Sequence, residues 1–391
     1  MNILRTLVTG MLSMTTVAML ATDYTVDGQY VTIPVKQVKA GGAQLVRLQV
    51  VNDNIIRVQA TSESQLPDKQ SLIIVKQTQK PKFDVTEDGS EVLVKASGVQ
   101  ARVDKETGRI EFLDKDGKRL LQEAKEGGKT FKPFRVPDRE IGVDVAKVPE
   151  EQRNGLTWRL LFDSPKEEAL YGLGQHQSEE LNMKGLNEDL FQYNTKVSVP
   201  FVLSNRNYGL LWDSYSYCRF GNPDDYLQLG RAFKIYDRQG REGHLTGTYT
   251  DKQGQRLVRD EDSIYYEFDT PAASELANRT EPGGIKNLPK GFKLNGSTVV
   301  YEGFIEAPKD AQYHFILYYA GYIKVYIGGQ EVVPVRWRTA WNPNTYKFRK
   351  VLQKDKRYQL RIEWQPDGDV SYCGLRVAKP NNDQRKLSIL N

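Results

Sequence analysis

Tyr301–Gly329 reads YEGFIEAPKDAQYHFILYYAGYIKVYIGG. Apolar and aromatic residues alternate with polar ones on both sides of a Pro308-Lys-Asp-Ala311 turn, and a third such run closes on Ile327-Gly-Gly329. Side chains along a strand point alternately to opposite faces, so a period of two marks a half-buried strand. The stretch therefore predicts three strands of a β-sandwich. Downstream, Arg336-Trp-Arg-Thr-Ala-Trp-Asn342 places Trp337 and Trp341 beside Arg336, Arg338 and Asn342 in a segment that reads as a loop. Trp364 alternates with Ile362 in Arg361-Ile-Glu-Trp364 and reads as core.

The same pattern runs through most of the chain. Leu45–Val51 and Ile55–Ala60 flank the turn Asn52-Asp-Asn54, Glu91–Lys95 and Val99–Val103 follow, and Ile110–Leu113 lies between two turns. Leu156–Phe162 is a further strand, and Val197–Leu203 with Tyr208–Asp213 forms a hairpin around Asn205-Arg-Asn207. No convincing amphipathic helix interrupts them, with Ala272–Ala277 at most a single turn. Strands this frequent predict an all-β protein. Composition changes near Gly240, where a stretch rich in Gly, Tyr and Asp begins, so a second domain is expected from 240 to 380. A polar linker then leads into Lys386–Leu390, which reads as the start of a truncated return strand and would leave a sheet edge open.

At 391 residues the chain is long enough for two domains. A net charge of +5, with Lys and Arg interleaved among Asp and Glu, draws no stripe for nucleic acid. Residues 1–21 have a short basic start, an uncharged apolar run and small residues at Ala18 and Ala21, the pattern of a secretory signal peptide, with either alanine a possible cut. No Cys follows that run to take a lipid, and no later run is long enough to span a membrane. Cys218 and Cys373 read as two reduced, buried thiols, although one disulfide is permitted.

Signals for catalysis are weak. His176, His244 and His314 lie far apart, with no zinc spacing. His314 reads as a half-buried sheet residue, and His176 as a loop residue with a possible polar contact to ligand. Asp114-Lys-Asp-Gly117 and Asp367-Gly-Asp369 lack the further oxygen ligands of a calcium loop and read as turns. No Gly-x-Ser-x-Gly elbow occurs. The positive signal is aromatic: 21 Tyr, 14 Phe and 5 Trp. A sugar ring has one apolar face, which stacks on Trp or Tyr, and hydroxyls that pair with Arg, Asn and Asp. The expected sugar contacts are Arg336, Trp337, Trp341, Asn342 and Tyr319; for either loop tryptophan the alternative is a cap on the sandwich core. No metal and no cofactor are expected.

Two resemblances follow from these residues. From about Gly243 to Lys379 the chain resembles the protective-antigen-type β-sandwich, the PA-fourteen module. The carriers are Leu245-Thr-Gly-Thr-Tyr249, Tyr301-Glu-Gly-Phe304, Ala311-Gln-Tyr-His-Phe315 and Lys324-Val-Tyr-Ile-Gly-Gly329. Members of that family often bind carbohydrate; the calcium-dependent ones carry an Asp-Asp pair where this chain has Tyr318-Tyr-Ala-Gly321. From about Tyr24 to Tyr236 the chain resembles the galactose-mutarotase-like N-terminal β-sandwich of family 31 glycoside hydrolases. Here the carriers are Tyr171-Gly-Leu-Gly174, Val199-Pro-Phe-Val-Leu203 and Tyr208-Gly-Leu-Leu-Trp-Asp213. Bacterial α-xylosidases of that family carry a PA-fourteen module inserted in this order.

The resemblance implies an N-terminal sandwich over 22–239, a PA-fourteen module over 240–380 and a tail over 381–391. It also implies a periplasmic or secreted setting, xyloglucan-derived oligosaccharide as ligand, and a catalytic barrel as a possible separate partner chain. The family's nucleophile motif, Trp-x-Asp-Met-Asn, is missing: the five tryptophans precede Arg159, Asp213, Arg338, Asn342 and Gln365. No catalytic residue carries over, so the expected role is the non-catalytic front part of such an enzyme. The rival readings are a free-standing carbohydrate-binding protein and a β-rich adhesion or structural protein.

Overall fold

The structure is a computed structural model. It describes residues 23–67, 71–75, 80–125, 128–135, 147, 149–150, 153–176, 180–192, 196–214, 216–221, 226–266, 288–339, 344–368, 371–378 and 386–390. Among them are twenty-nine strands and one helix, the four-residue Leu229–Ala232. The all-β expectation holds. The candidate signal peptide and Ala272–Ala277 lie outside the described residues.

The chain forms two compact units: the described parts of Met1–Gln70 and Lys76–Lys118, and those of Ser71–Val75 and Arg119–Asn391. In the first, Thr25–Asp27, Tyr30–Pro34, Leu45–Asn52 and Ile55–Thr61 make an antiparallel meander. A second run follows in Asp84–Asp88, Glu91–Lys95, Val99–Asp104 and Ile110–Asp114. Val31, Ile33, Val46 and Leu48 on one run and Val92, Val94, Ala101 and Val103 on the other are fully buried, as their alternation predicts.

The second unit holds three groups of strands. Lys386–Leu390 pairs with Asn154–Asp163 on one side and Cys218–Phe220 on the other, and Glu188–Leu190 adds to the latter. The expected open edge is therefore not there: the five-residue strand has neighbours on both sides. Leu170–Gln175, Val197–Ser204 and Tyr208–Leu211 form a separate three-stranded sheet. The rest is a two-layer sandwich. One layer runs Tyr226–Gln228, Cys373–Ala378, Ala311–Tyr319 and Asn344–Leu352. The other runs Arg256–Glu261, Leu245–Thr250, Thr298–Glu306, Arg357–Gln365, Gly321–Ile327 and Gln330–Arg338. Phe315, Leu317, Ile323, Val325, Ile362 and Trp364 fill the space between them.

Two pairings reach outside the anticipated 240–380 span. Tyr226–Gln228 joins Cys373–Ala378, and Lys234–Tyr236 joins Thr298–Glu306. The second explains the Glu-Gly-Phe motif: a Cβ on Gly303 would lie 2.1 Å from the Tyr236 carbonyl oxygen, so only glycine lets the strands approach. Cys218 and Cys373 are free and buried.

Candidate functional site

Trp337 lies in the edge strand Gln330–Arg338 rather than in the loop expected for it. The register sets Tyr322 directly across from Trp337 and Ile323 across from Arg336. Trp337 and Tyr322 are therefore cross-strand neighbours, with ring centroids 6.4 Å apart, and both are about half exposed. Trp337 Nε1 donates to Asp367 Oδ2 at 2.8 Å, which fixes the indole edge and leaves ring surface to solvent. The Arg336 guanidinium stacks 3.9 Å above the Tyr346 ring centroid. Neighbouring strand positions face opposite ways, so the Arg336 side chain lies over the buried Tyr346 ring while Trp337 is exposed beside Tyr322, and the two do not share a face.

Tyr319 does not share that surface. It is 3% exposed and belongs to the sandwich core, because its strand alternates inward at that position. Its ring has no open face on which a sugar could stack, which corrects its place among the contacts. Burial pushes the Tyr319 phenol up, while Arg338 and Arg336 beside it pull the other way. Trp341 and Asn342 lie outside the described residues. Trp364 is 1% exposed and is core, its Nε1 donating to the Ala320 carbonyl at 2.7 Å.

A second cluster was not visible as a unit in the sequence. It starts at Tyr171-Gly-Leu-Gly174, where the pairing with Val197–Ser204 shifts register. Gly174 has φ +94°, and a Cβ there would meet the Val197 carbonyl oxygen at 2.1 Å. The motif is thus a backbone device. Beyond it, the His176 side chain has Nε2 2.6 Å from the Leu173 carbonyl and Nδ1 3.4 Å from Glu188 Oε2. Burial lowers the His176 pKa, Lys196 and Lys347 lower it further, and Glu188 with the Leu173 carbonyl opposes. Lys347, from Asn344–Leu352 of the sandwich, donates to the Asn187 carbonyl at 2.6 Å and lies 3.4 Å from Glu188 Oε2 and 3.6 Å from Asp189 Oδ2. Two positions on, Arg349 reaches Glu180 at 2.5 Å. This cluster joins the sandwich to the preceding strands. Its carboxylates are held by cations, so it reads as a clasp rather than as acid–base chemistry.

A third feature is apolar. Along Val197–Ser204, Val197, Val199, Phe201 and Leu203 are exposed while Val202 and Ser204 are buried. Tyr171 pairs with Leu203, and Leu211 pairs with Phe201; both are also exposed. One face of the three-stranded sheet is therefore bare and apolar. Among the described residues no group of three or more His, Cys, Asp or Glu is placed to hold a metal ion, and no helix is long and apolar enough to cross a membrane.

The fold is all-β, with runs of antiparallel strands followed along the chain by a two-layer sandwich that carries Trp337 and Tyr322 on its edge. Comparison with known proteins makes this specific. Residues 45–220 match the model of the glycosyl hydrolase 31 N-terminal galactose mutarotase-like domain, so this part of the chain is a family 31 front domain. An α-xylosidase of Saccharolobus solfataricus is 28% identical over 180 residues, 44% of this chain and 22% of that protein. An uncharacterized family 31 glucosidase of Pseudescherichia vulneris is 27% identical over 184 residues, 44% of this chain and 33% of that one. The crystal structure of the family 31 α-xylosidase of Xanthomonas citri aligns with a TM-score of 0.76 and 33% identity, covering 94% of this chain and 37% of that one. The chain thus spans about a fifth to a third of the curated relatives' length and just over a third of the solved one's.

Proposed function

We propose that this chain is the non-catalytic front part of a periplasmic or secreted α-xylosidase-like family 31 enzyme acting on xyloglucan oligosaccharides. Residues 22–239 brace the catalytic barrel. The PA-fourteen-type module, residues 240–380, lengthens the substrate pocket and meets sugar through Trp337, Trp341 and Asn342. The barrel, whether further along the same protein or on a separate chain, would supply the two carboxylates that retaining hydrolysis needs.

The observation that carries this reading is the bare face formed by Tyr171, Val199, Phe201, Leu203 and Leu211. Neighbouring apolar side chains left in water mark a surface that another protein part covers. The likeness to a solved α-xylosidase over 94% of this chain, but 37% of that one, supports a large missing partner. The test is the coding DNA directly downstream. A frame encoding a (β/α)₈ barrel with Trp-x-Asp-Met-Asn is the expected result. Its absence, together with a monomeric chain that retains xyloglucan oligosaccharides by itself, would favour a free-standing binding protein.

A further inference from the structure

Tyr322 is absent from the expected sugar contacts, yet strand register puts it at the centre of a row that crosses three strands. Gly321–Ile327 lies between Gln330–Arg338 and Arg357–Gln365. Tyr322 therefore has Trp337 directly across on one side and Gln365 on the other. The row spans two strand spacings, about 10 Å. Ile323 and Trp364, the next residues inward, are buried in the core, so alternation turns Tyr322 and Gln365 to the outer face, where both are exposed. Gly321 sets the approach: its φ is +84°, and a Cβ there would lie 2.4 Å from the Gln365 carbonyl oxygen, so only glycine lets the strand start this close. Other tyrosines of the sandwich are capped by cations, Tyr326 by Lys324 at 5.0 Å and Tyr358 by Lys356 at 5.3 Å. Among the described residues no cation lies over Tyr322 or Trp337, whose rings are tilted by 46° to each other. Polar groups rim them. Trp337 Nε1 occupies Asp367 Oδ2, while Asp367 Oδ1, the Gln365 amide and the Tyr322 hydroxyl make no hydrogen bond among the described residues. The next row on this face sets Lys324 across from Glu363, so charge bounds the apolar seat there.

Two uncapped rings beside an amide and a carboxylate suit a ligand with apolar faces and hydroxylated edges. The row is longer than one sugar ring, so a single sugar fills only part of it. It lies on the outer face of a sheet, at the edge strand, and is open at both ends. Such a surface can take the middle of a chain, whereas a pocket takes an end. The tilt between the rings suits a soluble chain that turns from one sugar to the next, and the Asp367 carboxylate disfavours an acidic one. We propose that Tyr322 and Trp337 form an open platform that holds a neutral polysaccharide along its length, with Gln365 and Asp367 Oδ1 meeting its hydroxyls. This rests on the reading of Trp337 as a sugar contact and extends it in two ways. It adds Tyr322 and Gln365 to the contact, and it makes the ligand a polymer rather than the end of an oligosaccharide.

The test is native affinity electrophoresis of the whole chain in gels with and without soluble xyloglucan polysaccharide, run beside a non-binding marker protein. The parent chain should be retarded by the polymer. Tyr322→Ala and Trp337→Ala should each weaken that binding roughly fivefold, the scale of one aromatic contact. Tyr322→Phe, which keeps the ring, should stay near the parent, and Gln365→Ala should weaken binding less than the loss of either ring. The side chains replaced are exposed, and the urea midpoint of each variant checks that it folds. Free xylose in the gel, at the same concentration of sugar units, should leave the retardation unchanged; competition by xylose equal to that by the polymer would overturn a chain as the ligand. If Trp337→Ala weakens binding and Tyr322→Ala does not, the platform is rejected and the Trp337 contact stands. Retardation that survives both ring losses, or a parent chain that is not retarded, rejects the platform and the Trp337 contact together. The reading of the chain as the front part of an enzyme is decided separately, by the downstream coding frame.

Discussion

Acidification should weaken the second unit through His314, and the size of the effect follows from its neighbours. His314 lies in Ala311–Tyr319, directly across from Arg349 on Asn344–Leu352, and Arg349 is held by Glu180. Burial lowers the imidazole pKa, Arg349 and Lys347 lower it further, and Glu180 opposes, leaving it at about 4. In the unfolded chain it returns to about 6.5. The unfolded state thus takes up this proton first, so the neutral ring costs nothing above that value. Stability is lost as pH falls from about 6.5, and the loss levels off below about 4. Each pKa unit carries about 1.4 kcal/mol, which sets an upper bound of about 3 kcal/mol; with the ring only partly sealed, about 2 kcal/mol is the expected loss. His314→Gln removes the titration and keeps a polar side chain. Urea unfolding from pH 7 to pH 4 should show a shallower acid loss in the variant, by that amount, with the two proteins nearly equal at pH 7. Parallel pH profiles would refute the reasoning, because the remaining groups titrate identically in both.

Three further outcomes follow. Trp364→Ala should cost about 3–5 kcal/mol, the range for emptying a buried indole site; the Ala320 carbonyl keeps Ser371 Oγ as donor at 3.0 Å, so the loss is one of packing, measured by the urea midpoint. Trp337→Ala, at an exposed edge, should change the same midpoint by less than about 0.5 kcal/mol. Lys347→Met leaves Glu188 and Asp189 without their shared cation and should cost about 3 kcal/mol, with faster proteolysis between the module and the preceding strands as the readout.

The core was legible wherever a strand is long and buried on one side. In Thr298–Glu306, Ala311–Tyr319 and Gly321–Ile327 alternation alone separates the inward residues, and Trp364 was assigned to the core the same way. Short strands carry too few periods to be read. Tyr226–Gln228 and Lys234–Tyr236 span three residues each, and only their distant partners reveal them. Lys386–Leu390 looks like an isolated beginning until its neighbours Asn154–Asp163 and Cys218–Phe220 are known. Tyr319 shows the limit of reading aromatics by type: a tyrosine at an inward register position is core, whatever its chemistry could do outside. The clasp could not be read either, because Lys347 meets Glu188 across 159 positions and no local pattern encodes such a pair.

As the front part proposed above, this chain should have no glycosidase activity by itself. Incubating the purified chain with p-nitrophenyl α-xyloside tests it most directly. No release of p-nitrophenol above the protein-free control is the predicted result. Turnover that persists through purification and disappears when a single Asp or Glu is replaced would contradict it.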